Sequence, residues 1–289
     1  MSNSKLHIYR RSKLEDGRLL MGFSGWMDGG DISTGTVKFL AEQLDAPKSA
    51  EIEPEGFYIY SFPGSMEITA IFRPHARIRD GLVQSCEMPS NSFFVNEVNN
   101  LILFSGKEPN LGWVQYADCI FSLCQQFEVK TIYFIGSVAG LVPHTRQPRF
   151  TCSVSDEGLK EAMSRYGVRM SNYKGPASIV TYLTSRAKQE QVSMVSLVAE
   201  IPAYVQGQNI GCISVVSKLL ANVLGLHLDL EKLRNLGEEF ERKVSEIVLA
   251  QPELANHIGR LEEDYDNEVF DTEMGDLKDW LEQRGIRVD

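Results

Sequence analysis

The sequence lacks the long apolar segments that a membrane protein needs. Its longest apolar runs, such as Val192–Ile201, are interrupted by polar residues and fall short of the ~20 residues that span a bilayer. Met1–Glu15 contains no basic segment followed by an apolar core, so a signal peptide is not indicated. We therefore expect a cytoplasmic protein that makes no membrane contact.

Residue patterns that hold metals or activate nucleophiles are also missing. The five cysteines form no CxxC pair, and the five histidines form neither HxH nor HExxH. No GxSxG elbow and no Walker lysine occurs. The sequence accordingly predicts no metal, no cofactor and no catalytic residue.

The distribution of charge along the chain does not favour nucleic-acid binding. The net charge is −10, and residues 229–289, with 18 acidic and 8 basic side chains, carry all of it. A neutral body with an acidic end would repel phosphates, so nucleic-acid binding is not expected. The acidic end instead indicates a solvated helical appendage, or a surface for a basic partner.

Apolar segments alternate with helical patterns through the first three-quarters of the chain. Runs without polar interruption predict buried strands, and the intervening periodicity of three to four residues predicts helices. The predicted strands are Arg18–Ser24, Phe57–Ser61, Ile68–Phe72, Asn100–Ser105, Thr131–Ile135 and Ser193–Ala199. The predicted helices are Thr36–Leu44, Leu111–Phe127, Ser155–Tyr166, Pro176–Gln189 and Ile210–Leu224. This order indicates a doubly wound α/β fold with a mostly parallel sheet.

From Asp229 onward the pattern becomes purely helical. An apolar stripe from Leu230 to Val248 predicts a long amphipathic helix, Pro252 begins a second, and a short third is expected around Leu277–Leu281. We therefore divide the chain into an α/β core domain, residues 1–228, and an acidic helical C-terminal region, residues 229–289.

Loops at the carboxyl ends of parallel strands are the expected functional surface. Ligands of such sheets bind where these ends meet. The corresponding segments here are Gly25–Asp31, Gly106–Asn110, Gly136–Arg146 and Pro202–Gln208, which are rich in glycine and proline.

The first of these loops, GWMDGGD, is not a dinucleotide-binding GxGxxG motif. Trp26 occupies the place where the backbone would approach a phosphate, and Asp28 and Asp31 would repel an anion. We interpret the loop as a tight turn from strand to helix, with Asp31 or Ser33 as the helix cap.

Two further loops contain side chains that are capable of chemistry. His144 and Arg146 could exchange a proton and grip an anion, with Ser137 or Asp28 as a partner, but a loop-fixing role is the favoured interpretation. Glu108 could act as an acid or base, yet it is more typical of a carboxylate that accepts backbone N–H bonds, with Asn110 capping the next helix.

A local basic cluster has alternating spacing. It consists of Arg73, His75, Arg77 and Arg79. A solvated edge is the ordinary interpretation, and an anion site or a patch for an acidic partner is the alternative.

Five motifs in this order resemble the proteasome assembly chaperone family, in the branch of its second member (PAC-two) and the related prokaryotic proteins. They are GWMDGGD at Gly25–Asp31, GKEPNLGW at Gly106–Trp113, PHTR at Pro143–Arg146, YKGP at Tyr173–Pro176 and IPAY at Ile201–Tyr204, followed by the leucine-rich segment Ser217–Leu226. The resemblance covers roughly Leu19 to Leu226.

This resemblance implies a nucleoside-phosphorylase-like α/β fold that binds other protein subunits. It also implies a homo-oligomer, for which a trimer is the first expectation. The family-motif residues expected to bind partners are Gly25, Trp26, Asp28, Gly106, Glu108, Pro109, Asn110, His144, Thr145, Arg146, Tyr173, Gly175, Pro176, Pro202 and Tyr204.

Two features depart from the family pattern. The chain ends Ile286-Arg287-Val288-Asp289, without the tyrosine by which members dock on proteasome rings, and Gly29 stands where relatives often have alanine.

Two functions follow as hypotheses. The first is an oligomeric protein-binding assembly factor that resembles these chaperones. The alternative is a small-molecule enzyme for a nucleoside-like or carboxylate substrate, which requires His144, Arg146, Glu108 and Asp28 to converge in one cleft.

Overall fold

The computed structural model describes the backbone of residues 5–283 and the side chains of residues 5–270. Within that part of the chain the strands are Leu6–Ile8 (β1), Gly17–Ser24 (β2), Lys48–Ile52 (β3), His75–Arg79 (β4), Leu82–Glu87 (β5), Asn91–Asn96 (β6), Leu101–Lys107 (β7), Val129–Gly140 (β8), Arg149–Val154 (β9), Arg169–Met170 (β10) and Ser193–Pro202 (β11). The helices are Ile32–Gln43 (α1), Met66–Phe72 (α2), Trp113–Gln126 (α3), Gly158–Ser164 (α4), Ile179–Ala187 (α5), Ile210–Leu224 (α6), Glu231–Leu249 (α7) and Pro252–Gln283 (α8).

One large sheet organises the molecule. Its nine strands lie in the order β1-β3-β6-β7-β2-β8-β11-β9-β10. The four central strands β7, β2, β8 and β11 are mutually parallel, and the flanking pairs β1–β3, β3–β6, β6–β7 and β9–β11 are antiparallel. The predicted α/β class is confirmed. The sheet is mixed, and the predicted parallel arrangement applies to its centre.

Helices cover both faces of the sheet. On one face Phe104 packs in a cluster with Tyr116 of α3 and Leu183 of α5. On the other face Leu103, the neighbouring residue of the same strand, packs in a cluster with residues of α1 and α6, including Val216. Successive side chains of a strand point to opposite faces, so a strand buried on both sides must be apolar throughout.

The helix predicted at Ile210–Leu224 is confirmed at both ends. The Asn209 side chain accepts a hydrogen bond from the Cys212 N–H at 3.0 Å, and Gly225 ends the helix in the left-handed conformation. The strand predicted to stop at Gly136 continues to Gly140. A Cβ on Gly136 would lie 2.7 Å from the Phe134 ring, so this glycine accommodates a neighbouring ring within the strand.

The two strands predicted at Phe57–Ser61 and Ile68–Phe72 are wrong. Residues 57–61 form an irregular segment, and Met66–Phe72 is the helix α2, which begins after Ser65. Phe57 is fully buried, where its ring contacts Tyr116 edge to face at 5.0 Å between centroids. Its hydrophobicity therefore serves packing in the core and gives no strand.

The segment after α2 forms a separate two-stranded hairpin, β4–β5. Every residue of β4 is exposed, including His75, Arg77 and Arg79 of the basic cluster. This agrees with the interpretation of that cluster as a solvated edge.

Two predicted helix starts move inward in the structure. The helix predicted from Pro176 begins at Ile179, because Ser178 is the residue that accepts from the Thr181 N–H. The helix predicted from Ser155 begins at Gly158, and the Ser155 hydroxyl accepts a hydrogen bond from the Met194 N–H at 2.9 Å.

The C-terminal helices follow the sequence pattern in part. Leu233 and Val248 are buried as the apolar stripe predicts, whereas Leu236 and Ile247 are exposed. Helix α8 is continuous to Gln283, so a separate helix at Leu277–Leu281 is wrong. No helix among the described residues combines the length and hydrophobicity required to cross a membrane. The departure at residues 286–289 lies outside the described residues.

Helix α7 packs closely against α6 where two glycines meet. A Cβ placed on Gly237 would lie 3.1 Å from the Cα of Gly211, closer than real Cβ contacts normally come. Small residues at such a crossing allow helix backbones to approach. This crossing holds the acidic helices against the core.

Candidate functional site

The carboxyl ends of the four central strands lie along one edge of the sheet, because these strands are parallel. The strands end at Ser24, Lys107, Gly140 and Pro202. We call the loops that follow them, residues 25–31, 108–112, 141–148 and 203–209, the strand-tip rim. The rim contains the predicted loops in part, because Gly106 lies within β7 and residues 136–140 lie within β8.

Asp28 caps helix α1 from within the first rim loop. Its carboxylate accepts hydrogen bonds from the Thr34 N–H at 3.1 Å and from the Thr34 hydroxyl at 2.7 Å. Of the two predicted caps, Asp31 is correct in position only and Ser33 is wrong. Asp31 has the cap position but makes no side-chain cap bond, and Ser33 is buried, where its hydroxyl accepts from the Phe23 N–H at 3.0 Å. Sequence reasoning missed Asp28 because six residues separate it from Thr34.

Burial raises the pKa of Asp28 to about 6, although the bonds from Thr34 favour its charged form. The same loop is tied to β8. The Ser137 N–H donates to the Met27 carbonyl at 2.9 Å, and the Ser137 hydroxyl donates to the Gly29 carbonyl at 2.6 Å. Ser137 therefore fixes the loop and is not placed as a partner of His144.

Glu108 joins the second rim loop to two other segments. One carboxylate oxygen accepts the Trp26 N–H at 3.3 Å, and the other accepts the Ile179 N–H at 3.1 Å, at the start of α5. These bonds agree with the interpretation of Glu108 as an acceptor of backbone N–H groups. The Trp26 side chain itself is 67% exposed at the rim. The backbone of this tryptophan is thus fixed while its ring remains accessible.

The sequence predicted Asn110 as the cap of α3, and this prediction is wrong. Gly112, in the left-handed conformation, occupies the cap position. The Asn110 carboxamide oxygen accepts the Ile59 N–H at 3.3 Å, and the Asn110 N–H donates to the Phe57 carbonyl at 2.9 Å. Its role is to hold the irregular segment 57–61 against the rim. Pro109 lies beside it, and its carbonyl accepts the Trp113 indole N–H at 2.8 Å.

His144 connects two distant parts of the chain. Its backbone N–H donates to the Tyr204 hydroxyl at 2.7 Å, and that hydroxyl also lies 2.7 Å from Nδ1. Nε2 lies 3.0 Å from the Ser245 hydroxyl, so both nitrogens of a neutral His144 ring have a hydroxyl partner. Burial lowers the pKa of His144 and favours this neutral form.

The two residues after His144 bind helix α8. Thr145 donates its hydroxyl hydrogen to Glu262, and the Arg146 guanidinium makes two parallel bonds of 2.8 Å to the Asp266 carboxylate. The guanidinium holds the pKa of Asp266 below its usual range. Arg146 of the same chain thus forms an ion pair with the acidic helix α8.

A second arginine extends this contact along α8. Arg149 stacks over the Tyr265 ring at 4.4 Å and pairs with Glu268 at 2.7 Å, while the Tyr265 hydroxyl donates to the Gln147 carbonyl at 2.8 Å. We call the contacts from residues 144–149 to α7 and α8 the helix latch. Sequence reasoning missed its acidic half, although the excess of acids after residue 229 signalled a basic counterpart.

The remaining motif residues divide into two groups. Tyr204 lies on the rim, and Pro202 pairs with Gly140 in the β11–β8 register at its base. Tyr173 instead forms a local turn before α5, in which its hydroxyl donates to the Pro176 carbonyl at 3.2 Å. A Cβ on Gly175 would lie 2.3 Å from that hydroxyl, so a larger residue at this position would displace the Tyr173 ring.

The four side chains required by the enzyme hypothesis do not converge. His144 and Arg146 line a cavity of about 790 Å³ between α6 and α7, but Glu108 and Asp28 are bonded elsewhere. Within residues 5–270 no cluster of three or more potential ligand side chains is placed to hold a metal ion.

Comparison with known proteins identifies relatives along most of the chain. A family model described as the PAC2 family matches residues 22–248. No curated protein matches the sequence.

Solved structures share the fold at low identity. The Mycobacterium tuberculosis protein of unknown function Rv2714 aligns with a TM-score of 0.83 and 21% identity over 94% of this chain and 92% of its own. The proteasome-assembly chaperone homologue Rv2125 of the same organism aligns at 0.71 and 24%, over 83% and 99%. PbaB of Pyrococcus furiosus, an archaeal proteasome activator, aligns at 0.63 and 19%, over 84% and 97%.

Proposed function

The chain belongs to the PAC2 family, and on that basis we propose that it is an oligomeric, protein-binding assembly factor whose strand-tip rim holds other polypeptides. One observation carries the proposal: an exposed tryptophan stands on a backbone that internal hydrogen bonds hold in place. Trp26 has this arrangement through Glu108. Tryptophan is enriched at binding hot spots, and a loop that is already ordered loses little entropy on binding.

Further exposed apolar side chains support a protein partner. Leu141, in the third rim loop, is 74% exposed, and Leu111, in the second, is 48% exposed. Together with Trp26 they place apolar groups on three of the four rim loops. The first candidate partners are proteasome subunits, in view of the functions named for Rv2125 and PbaB.

We propose the two-region organisation of the chain that the sequence predicted. Residues 1–228 form the α/β core, of nucleoside-phosphorylase-like type, which carries the rim. Residues 229–289 form an acidic helical region that covers the His144–Arg146 side of the rim through the helix latch. The protein acts in the cytoplasm, and the motif residues Gly25, Gly106 and Tyr173 shape or flank the binding loops.

A homo-oligomer, with a trimer as the first expectation, completes the proposal. Its support is the arm formed by α2 and the β4–β5 hairpin, in which no residue is buried and Met66, Ile71, Ile78 and Leu82 are each more than 60% exposed. A hairpin without a covered apolar face is marginally stable in water. Light scattering on a sizing column tests this: a single species at three times the chain mass of 32.5 kDa is expected, and a monomer at every concentration contradicts it.

The rim itself is tested by partner binding. Full-length protein and purified proteasome α-subunits from the same cell are mixed, and their affinity is measured by biolayer interferometry. Trp26→Ala should weaken binding at least about tenfold, since truncating a hot-spot tryptophan removes 2 kcal/mol or more, in order-of-magnitude terms.

The matched control is Tyr9→Ala. Tyr9 follows the edge strand β1 and is 61% exposed, comparable to Trp26, but lies at the border of the sheet. Its substitution should leave the affinity unchanged. Equal affinities for wild type and both variants would remove the rim from the proposal, and no binding by wild type would remove these subunits as partners.

A further inference from the structure

A small pocket lies beside the rim, between the base of the β4–β5 hairpin and the ends of β2 and β7. Its volume is about 260 Å³. The lining includes Arg73 and His75 from the hairpin side and Lys107 from the end of β7. None of these three side chains takes part in the bonds that fix the rim or in the helix latch.

Strand register explains why the floor of this pocket is polar. Leu101 and Leu103 of β7 pack in a cluster with residues of α1, and Ser105 and Lys107 continue the same alternating row to the end of the strand. Ser24 lies opposite Lys107 in the β2–β7 register. The row therefore changes from leucine to serine to lysine at the point where it leaves the core, and the neighbouring strand adds another hydroxyl.

The charges around the pocket are unbalanced. Arg73, His75 and Lys107 are basic, and the lining contains a single acid, Glu87, which lies opposite His75 in the hairpin register. Among the residues that the structure describes, neither the Arg73 guanidinium nor the Lys107 ammonium forms an ion pair. Lys107 is half-buried. A partly buried cation without a counter-ion is destabilising, and a bound anion would relieve that.

Size and donor chemistry narrow the class of anion. Pockets for whole drug-sized ligands measure ~300–1,000 Å³, so this one fits a single ionic group. The lining residues carry a guanidinium, an ammonium, an imidazole and the hydroxyls of Ser24, Ser90 and Ser105, and the Thr34 hydroxyl there already donates to Asp28. A phosphate, with two charges and several acceptor oxygens, engages this set more fully than a carboxylate does.

We propose that the pocket lined by Arg73, His75 and Lys107 binds a phosphate group, either free or at the end of a larger ligand. The basic cluster of the sequence is thereby divided: its first two members face the pocket, and Arg77 and Arg79 lie along the exposed hairpin. The proposal does not depend on partner binding at the rim.

Isothermal titration calorimetry of the full-length protein with inorganic phosphate tests the proposal. Wild type should bind, and Lys107→Gln and Arg73→Gln should each weaken binding about tenfold, as expected for a charge-assisted hydrogen bond. Arg77→Gln, which removes the same charge from the hairpin outside the pocket, should change affinity less than twofold. Arg73 is exposed, so its variant keeps the test available if Lys107→Gln fails to fold.

Two competitors complete the experiment. Acetate at equal concentration should not displace phosphate, whereas adenosine monophosphate should. Tighter binding of adenosine monophosphate than of inorganic phosphate indicates that the pocket binds a phosphate carried by a larger ligand, and the reverse order indicates free phosphate. The proposal is overturned if wild type gives no binding heat, if Arg77→Gln weakens binding as much as Arg73→Gln does, or if acetate competes equally.

Discussion

Replacing Glu108 by alanine examines how the rim is held together. The Glu108 carboxylate accepts one hydrogen bond from the Ile179 N–H at the start of α5 and another from the Trp26 N–H. Alanine removes both acceptors and leaves the Ile179 N–H, in a half-buried site, without a partner. It also removes a negative charge from the end of a helix where the peptide dipole favours one.

The magnitude follows from these two bonds. Hydrogen bonds to charged groups contribute ~1.5–3 kcal/mol each to stability. The bond from Trp26 is longer and more exposed, so we expect it to contribute only as much as a weak hydrogen bond between neutral groups. We expect Glu108→Ala to lower the free energy of unfolding by about 2–4 kcal/mol. For a domain of this size the unfolding temperature should fall by roughly 5–10 °C.

Differential scanning calorimetry measures this shift, with two companion variants. Glu108→Gln retains one carbonyl oxygen on a side chain of equal length and should lose about half as much. Glu42→Ala removes an exposed glutamate from α1 and should lie within about 0.5 kcal/mol of wild type. If Glu108→Ala unfolds at the same temperature as Glu42→Ala, the carboxylate does not organise the rim.

Three other substitutions probe the same region by unfolding temperature. Gly30→Ala should destabilise the protein by more than Gly81→Ala. Both glycines have positive φ, at +63° and +77°, but only at Gly30 would the new Cβ crowd a neighbouring side chain, that of Asn209 at 3.0 Å. Equal losses of stability in the two variants would contradict this crowding. Asp28→Asn should stabilise the protein by up to about 3 kcal/mol at pH 8, because the folded-state pKa of Asp28 is about 6 against an ordinary 3.8 and the charged form is disfavoured. The gain in stability should shrink as the pH falls through 6 towards 4. A gain that does not depend on pH would argue against burial as the cause of the raised pKa. Burial of the neutral His144 ring lowers its pKa, so its contribution to folding stability is present above the ordinary pKa of histidine and declines as the pH falls through that value. Wild type should therefore lose more stability than His144→Gln between pH 7.5 and pH 5. Parallel pH profiles of stability for the two proteins would contradict this prediction.

The centre of the fold could be predicted from local sequence because each element there is apolar and sharply bounded. The run at Leu101–Phe104 is buried on both faces, and Ile210–Leu224 has a capping asparagine before it and a glycine after it. Such signals need no knowledge of distant residues. The rim could be predicted in part from strand ends, but Gly106 and Gly136, taken as strand ends, lie within their strands.

The elements that failed depend on tertiary context. Lys48–Ile52 lies between β1 and β6 and mixes charged and apolar residues, so its pattern does not indicate a strand. Met66–Phe72 contains β-branched residues typical of strands, yet it is an exposed helix. In neither segment does local hydrophobicity determine the structure.

The partners of the rim side chains could not be predicted either. His144 bonds to Ser245, 101 residues further along the chain, and Arg146 bonds to Asp266, 120 residues away. The sequence indicated only an acidic region that was either a solvated appendage or a surface for a basic partner. Which base, and in which loop, is determined by the packing of α7 on α6.

The most direct test of a polypeptide-binding rim is photo-crosslinking from the position of Trp26 in the native cell. A photoreactive phenylalanine at position 26 should give discrete adducts that mass spectrometry identifies as proteasome subunits. The same group at Gln125, exposed at the end of α3 beside the opposite edge of the sheet, should give none. No protein adduct from position 26, or the same adducts from both positions, would contradict the central claim.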